Sequence, residues 1–590
     1  MLHTINKDLV PIKAHYFLYN AATGPIVPFL PTIAKQLGFS GFLVGTMYTL
    51  LPISGLIAKP LLGGLADKFN LHKSILLIFQ VLLVIGFSII YFIPEIESSA
   101  TAYLTCNKEA FIEICSKKGF SNGVLRNVIS STNVNLECQL SCNASTEIYE
   151  ELCSNWRAVQ FCGVAKQNVS EGTTFNFTAQ FNVYENLQEG SCIDVRVRNV
   201  TFFDGIIHKP FCERHIRPKC TIGCKNVPEM SHLLKEASQD ESNSQAWTYQ
   251  FHIYLWAAVI SWIGMAVVVS IGDTICLNIL GEERKREYGK QKLWGSIGFG
   301  IFGVLAGYLV DVFSRGHAEK DYSCIFFIML TAMILDIIVS ATLRKTSPER
   351  SEDEPSVLWE LWSVVQESRV LVFAWWCIGS GMCTAVVWNF LFWYIDDLAT
   401  HSRVTWLKTL QGLLIGIQCF VGELSFNFVS GALLHKLGHI NVMSIVLLVY
   451  AIRFMSYSLI SNLWIFLFVE VLHGPSFGLC WPTMVSYGDK VAPSGTKATM
   501  QGFVGAVFEG IGVSSGSFIC GWLMEKYGGV VVLQAFSVGS LVWLSIYWIL
   551  HLLLRQAKVN PIHQGHSHLA TYATPNDAIL MTMSQELQTY

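Results

Sequence analysis

Apolar runs long enough to cross a bilayer recur along most of the chain, and no other feature limits its fold as strongly. Roughly 20 residues of helix span about 30 Å of hydrocarbon. Twelve runs meet that length, at approximately residues 11–34, 42–66, 74–94, 250–280, 290–313, 322–343, 370–397, 408–434, 440–460, 463–487, 497–524 and 529–553. Composition agrees, since 52% of the 590 residues are hydrophobic and only 14% are charged. The mean hydropathy is +0.42. These values exclude an ordinary soluble enzyme. A net charge of -3 leaves no general basic surface for nucleic acid.

The first run is long, lacks a small-residue cleavage pattern and is followed by another run, so it is expected to stay as a helix. With a cytoplasmic N-terminus, most Lys and Arg of the short connections fall on the cytoplasmic side, as the positive-inside rule requires. Residues 95–248 are then extracellular. This 154-residue segment contains ten of the 17 cysteines: Cys106, Cys115, Cys138, Cys142, Cys153, Cys162, Cys192, Cys212, Cys220 and Cys224. It also contains every N-x-S/T sequon, at Asn143, Asn168, Asn176 and Asn199, which read as glycosylation sites. An even cysteine count in an oxidising compartment predicts five bridges, with no pairing legible. The Cys-x3-Cys spacings at 138/142 and 220/224 are also compatible with zinc, but disulfides are favoured and no metal is expected.

The domain plan that follows is helices 1–3 over 1–94, a Cys-rich glycosylated ectodomain over 95–248 and helices 4–6 over 249–343. A cytoplasmic linker (344–369), helices 7–12 (370–553) and a cytoplasmic tail (554–590) complete it.

An internal repeat specifies the architecture further. GGLADKFNLHK (Gly63 to Lys73) follows run 2 and GALLHKLGHIN (Gly431 to Asn441) follows run 8. GYLVD (Gly307 to Asp311) and GWLMEKYGG (Gly521 to Gly529) end runs 5 and 11 on the opposite side. A Gly-x-Leu-x-(Asp, His or Glu) element thus closes the second helix of each group of three. Alternate copies on opposite faces mark inverted three-helix repeats within two six-helix halves.

GGLADKFNLHK is similar to the loop 2-3 signature of the major facilitator superfamily, G-x-x-x-D-[RK]-x-G-[RK]-[RK]. Asn70 stands at the usual Gly, and Leu71 and His72 interrupt the basic run. YGKQKLWGSIGFG, VGELSFNFVSGALLHKLG, AIRF, LHGPSFG and APSGTKATMQG resemble the lactose-permease-like symporters and the animal branch called domain-containing protein 6. The resemblance implies an all-α membrane fold of twelve helices in two six-helix halves, here with a disulfide-rich extracellular loop domain. It also implies a conformational gate at Gly63, Asp67, Lys68 and Lys73, in which Asp67 latches the outward-open state at a neighbouring helix N-terminus.

Ionisable residues inside the runs are expensive and usually face a cavity or a partner. Lys59, Asp273, Asp336, Glu423, Arg453, Glu470, His473 and Glu509 are of this kind. Runs 9 and 10 join at Ser461 and Asn462, which puts Arg453 and Glu470 at one depth. His473 shares a face with Glu470. In the resembling symporters, coupling groups occupy these helices as an acid on helix 8, an Arg on helix 9, and a His and Glu three apart on helix 10. Here the order on helix 10 is Glu then His. Glu423, Arg453, Glu470 and His473 are therefore the candidate proton-coupling residues, the alternative being an ion-pair network that only fixes packing. Lys59 is expected to reach the interface, and Asp273 to pair with the basic stretch Arg284 to Lys292.

The candidate solute path is Asn20 and Thr23 on run 1, beside carbonyls released by Pro25, Pro28 and Pro31. Trp388 and Phe392, read as sharing one face of run 7, complete it.

The favoured function is a secondary transporter for a small organic solute, coupled to the proton, working by alternating access in a lipid bilayer. The competing reading is a cell-surface receptor whose ectodomain binds a protein ligand. No P-loop, G-x-S-x-G or H-E-x-x-H motif occurs, so neither enzyme activity nor a cofactor is expected. The expected site is the plasma membrane with both termini cytoplasmic, although a lysosomal protein would carry the same loop.

Overall fold

The computed structural model describes residues 9–96, 99–115, 136–163, 173–181, 192–224, 234, 248–284, 287–315, 320–343, 367–400, 406–492 and 497–559. Most of the expected linker and tail, and Asn168, lie outside these residues.

Among the described residues, ten helices are long and apolar enough to cross a membrane, and a bent pair makes eleven if it is one span. The first expected run, at 11–34, is not among them. There the run is split into α1 (Val10–Ile26), a 3-10 turn (Val27–Phe29) and a short helix (Leu30–Gln36). Proline removes an amide donor and clashes with the preceding turn, so Pro25, Pro28 and Pro31 break the run. Thr32 Oγ1 donates to the Phe29 carbonyl at 2.8 Å, and Tyr254 OH donates to that of Leu30 at 3.0 Å.

The remaining helices of the first half are α2 (Gly41–Phe69), α3 (His72–Tyr91), α4 (Tyr249–Arg284), α5 (Tyr288–Phe313) and α6 (Ser323–Thr342). The second half has α7 (Ser368–Ala399), the bent α8 (Leu407–Leu424 and Phe428–Leu437), α9 (His439–Leu459), α10 (Leu463–Val491), α11 (Met500–Tyr527) and α12 (Gly529–Leu554). α1 packs on α5 and α6, α3 on α4, and α9 on α12, while the halves meet along α5 with α8 and along α2 with α11.

The helices of the second half are wound less regularly. π turns interrupt α7 at Val386–Phe390, α8 at Gln418–Leu424, α10 at Gly474–Gly478 and α11 at Ala506–Val513. Such turns shift the side chains that follow and are frequent at functional sites.

The repeat has a backbone cause. Asn70 (φ 51°), Gly438 (φ 78°) and Gly528 (φ 79°) each stand seven residues after the first Gly of a copy and end their helices with positive φ. Glycine adopts that conformation without strain and asparagine is the next most tolerant. The departure at Asn70 therefore preserves the turn.

Between α3 and α4 lies a β-domain of strands β1 (Ser99–Asn107), β2 (Glu109–Cys115), β3 (Leu136–Asn143), β4 (Thr174–Phe181), β5 (Cys192–Thr201), β6 (Ile207–His208) and β7 (Lys219–Cys224). The order is β2-β1-β7-β3-β4-β5-β6, and a further β2 to β5 pairing closes the sheet on itself. β2 and β4 alternate buried and outward residues, as a sheet with one face on a core requires. Trp156, Phe175, Phe177 and Phe202 fill that core. Five disulfides, 106–212, 115–192, 138–224, 142–220 and 153–162, use all ten cysteines of the segment. Cys115 faces Cys192 directly across β2 and β5, and so links the two strands that close the barrel.

Candidate functional site

The second half buries one continuous polar cluster. Arg453 of α9 donates from Nε to Tyr457 OH at 2.8 Å and from Nη1 to Ser476 Oγ at 3.1 Å. Its Nη2 pairs with Glu470 of α10, and its Nη1 lies 3.2 Å from His473 Nδ1. Tyr457 OH donates to the second Glu470 oxygen, while Gln418 Nε2 of α8 donates to the first at 2.5 Å. Arg453 and Glu470 are both 0% exposed. Pro475 stands within this region, where α10 passes from a 3-10 turn (Glu470–Leu472) into a π turn. Three of the four candidate coupling residues thus meet.

Glu423 does not join them. Its carboxylate receives Ser296 Oγ of α5 at 3.3 Å, across the seam between halves. On the other seam, Glu509 of α11 meets Lys59 of α2 at 3.3 Å, with side chains 32% and 39% exposed. Lys59 is therefore half of an ion pair between the halves rather than a free interfacial lysine. Both acids sit on π turns.

The halves are closed on the face that carries the β-domain. A Cβ on Gly45 would lie 2.9 Å from Gly521 Cα, and one on Gly307 would lie 2.1 Å from the Lys408 carbonyl oxygen. Two copies of the repeat add carboxylates there. Asp311 of α5 accepts the Thr409 amide at 2.6 Å and its hydroxyl at 2.9 Å, and Glu525 of α11 accepts the Phe42 amide at 2.8 Å. Each acid therefore caps the first turn of a helix in the other half, where unpaired amides and the positive dipole end favour an anion. Lys35 and Asp397 bridge the same face at 2.5 Å. At the opposite face, nothing among the described residues lies within 4 Å of a Cβ built on Gly63, Gly64 or Gly431.

That opposite face carries the expected gate. Asp67 belongs to the last turns of α2, with its side chain outside the described residues. The Lys68 ammonium lies 5.6 Å from the centre of the Phe69 ring. Lys73 donates to the Ala341 and Leu343 carbonyls at 2.5 and 2.9 Å, at the C-terminus of α6. The helix-capping geometry expected of Asp67 is carried here by Asp311 and Glu525.

The solute-path residues divide. Asn20 is half-buried against α5 and donates to the Tyr16 carbonyl at 2.9 Å. Thr23 is buried and bonded to the Tyr19 carbonyl at 3.1 Å. Trp388 is 37% exposed and meets Phe477 of α10 at 5.3 Å, whereas Phe392 is buried against Phe29 at 5.4 Å. The two side chains thus differ in burial and meet rings of different helices, on either side of the π turn Val386–Phe390.

A second buried cluster sits in the first half. His15 Nδ1 of α1 lies 2.8 Å from Asp336 Oδ1 of α6, and Gln80 Nε2 of α3 donates to Asp336 Oδ2 at 2.6 Å and to Ser340 Oγ at 3.0 Å. Nearby, Asp273 accepts Tyr16 OH at 2.7 Å and pairs with Lys292 at 3.0 Å, the partner expected from the basic stretch. His15 and Gln80 were not among the sequence candidates. A search for every titratable side chain within the apolar runs, histidine included, would have found His15.

Of the sequons, Asn143 and Asn176 are exposed, and Asn199 is half-buried, donating to Gln180 Oε1 at 3.2 Å. Among the described residues, the one group with metal-ligand spacing is Glu113, Cys115 and Cys192, and both sulfurs are in a disulfide. An oxidised sulfur has no thiolate to offer a metal.

The sequence pattern of the MFS_1 like family matches residues 9–536. The chain belongs to that family. It is 21% identical over 572 residues to major facilitator superfamily domain-containing protein 6-like protein B of Xenopus laevis, covering 92% of this chain and 90% of that protein. It is 25% identical over 288 residues to maltose permease of Geobacillus stearothermophilus, covering 47% of this chain and 66% of that protein. The crystal structure of nucleoside transporter NupG superimposes with a TM-score of 0.55 at 13% identity, covering 92% of this chain and 99% of that one. The MFS_1 like chain is thus a multi-pass membrane protein with a transporter fold.

Proposed function

We propose that the chain is a proton-coupled secondary transporter that carries a small organic solute by rocking its two halves. The observation that carries this reading is the asymmetry between the faces. Glycine contacts and the Asp311 and Glu525 caps join the halves on the β-domain face, while on the other no described residue lies within 4 Å of a Cβ built on Gly63, Gly64 or Gly431. With the β-domain outside, as the exposed sequons Asn143 and Asn176 and the five disulfides favour, this is an inward-facing state. In the opposite state, Asp67 takes the role that Asp311 and Glu525 have here.

Glu423, Arg453, Glu470 and His473 are the coupling groups in this proposal. Arginine keeps its proton at any physiological pH, so the mobile proton is exchanged on the carboxylates and the imidazole. Glu423 lies on the seam that opens and closes, and Asn20 and Trp388 supply polar and aromatic contacts for the solute. Maltose permease and a nucleoside transporter among the similar proteins support an organic solute.

The test is a comparison of metabolites in cells with and without the protein at two external pH values, followed by uptake of the differing solute into vesicles. Accumulation that requires an inward proton gradient is expected. A gradient-independent result would remove the coupling.

The competing receptor reading rests on the β-domain, where Phe203 is 90% and Ile207 62% exposed. Deleting the β-domain discriminates. A transporter keeps its uptake, and a receptor loses its only activity.

A further inference from the structure

We infer that His15 and Asp336 form a second proton-binding site, in the first half and separate from the cluster around Arg453. The site joins three helices. His15 is on α1, Asp336 and Ser340 are on α6, and Gln80 reaches in from α3. All four side chains are buried.

The hydrogen bonds fix the roles of the atoms. Gln80 has donors only on its nitrogen, and that nitrogen serves Asp336 Oδ2 and Ser340 Oγ. Asp336 Oδ1 faces His15 Nδ1 at 2.8 Å, with Ser340 Oγ 3.2 Å from the same nitrogen, and a carboxyl oxygen and a ring nitrogen that close share one proton between them. With that proton the pair is neutral overall, either as imidazolium and carboxylate or as imidazole and carboxylic acid. Without it, one negative charge is left in the protein interior, where an unpaired charge is costly. No further base is needed for the exchange, because the proton comes from and returns to water when the half opens to one side.

The surrounding groups leave this charge unbalanced. Tyr16 and Tyr19 on α1 pack against the His15 ring, Tyr16 bonds Asp273 on α4, and Lys292 on α5 bonds Asp273 and Tyr288. The cation Lys292 is taken by Asp273 at 3.0 Å, which leaves His15 as the group that balances Asp336. A path toward the surface is present as well. Tyr16, adjacent to His15, donates to Asp273, and Asp273 meets Lys292, whose side chain is 47% exposed. The other ring nitrogen, His15 Nε2, borders Gly272, where a Cβ would lie only 2.9 Å away. Glycine therefore keeps that side of the ring clear.

This inference needs neither the solute nor the coupling assignment of the second half, and its test measures protons alone. The full-length protein in detergent micelles is titrated over roughly pH 5 to 10 beside the double variant His15→Gln with Asp336→Asn. The variant is expected to exchange about one proton fewer than the wild type. If the polar double variant does not fold, His15→Phe with Asp336→Leu replaces both partners by apolar groups, which a buried pair tolerates better than loss of one, and the same deficit is expected. A folded double variant of either kind with the wild-type proton count overturns the site, since a contact that only packs helices holds no exchangeable proton.

Discussion

In the second half the buried cluster is organised by Arg453, a permanent cation that meets Glu470, Tyr457, Ser476 and His473, while Gln418 donates to Glu470. In the first half the cluster is organised by His15 and Asp336, and no member carries an obligatory charge. The two halves descend from one repeat pattern yet bury different electrostatics. The arginine cluster keeps its cation at every pH, so its proton exchange falls on Glu470 and His473, whereas the histidine cluster holds no permanent charge and can change its net charge by one. The winding of the helices differs in the same sense. Four π turns lie in the second half, and none occurs among the described residues of the first. Two of the four, Gln418–Leu424 and Gly474–Gly478, contribute Gln418 and Ser476 to the arginine cluster.

The sharpest way to break this comparison is Arg453→Met. Stranding Glu470 without its cation is expected to destabilise the protein by about 3–5 kcal/mol, and adding Glu470→Leu should restore most of it. Thermal unfolding in detergent reads both. Tolerance of the single change would mean that the pair carries no fixed charge.

Asp336→Asn probes the other half, with a smaller loss of about 1–3 kcal/mol expected in the same assay. Asparagine keeps an oxygen for Gln80, and no permanent charge is stranded. A loss equal to that of Arg453→Met would erase the distinction between the clusters.

Asp311→Asn and Glu525→Gln act on the seam between halves. Each weakens one helix cap by about 1 kcal/mol, which corresponds to about a fivefold shift away from the state closed on the β-domain face. The alkylation rate of a cysteine at Thr49, which lies on the seam beside Ser514, should rise by that factor. The smallest effect is expected from Lys73→Met, at about 0.3–1 kcal/mol, because only the C-terminal carbonyls of α6 lose a cation.

Much of this was legible in the sequence, for reasons that differ from residue to residue. Hydropathy alone located the helices from α2 onward, because lipid demands long apolar segments. It did not record the break in the first run, where three prolines act through backbone geometry. Arg453 and Glu470 were placed together because one short turn joins their helices and equal spacing fixes equal depth. The pairing of His15 with Asp336 crosses 321 residues, and no local periodicity reports it. The π turn between Trp388 and Phe392 leaves no mark in composition. Ten clustered cysteines predicted five bridges. Their pairing needed the barrel, since Cys138 and Cys142 meet Cys224 and Cys220 only once β3 lies beside β7. The repeat was readable as letters, while its function as a helix cap required the amides of Thr409 and Phe42.

The central claim is that a proton gradient drives the solute through the groups of the second half. Its most direct test is uptake into vesicles of the solute found by metabolite comparison, with and without an inward proton gradient. The wild type should accumulate the solute only with the gradient, and both Glu423→Gln and the folded double variant Arg453→Met with Glu470→Leu should lose accumulation. Gradient-driven accumulation at wild-type levels in both variants would contradict the account.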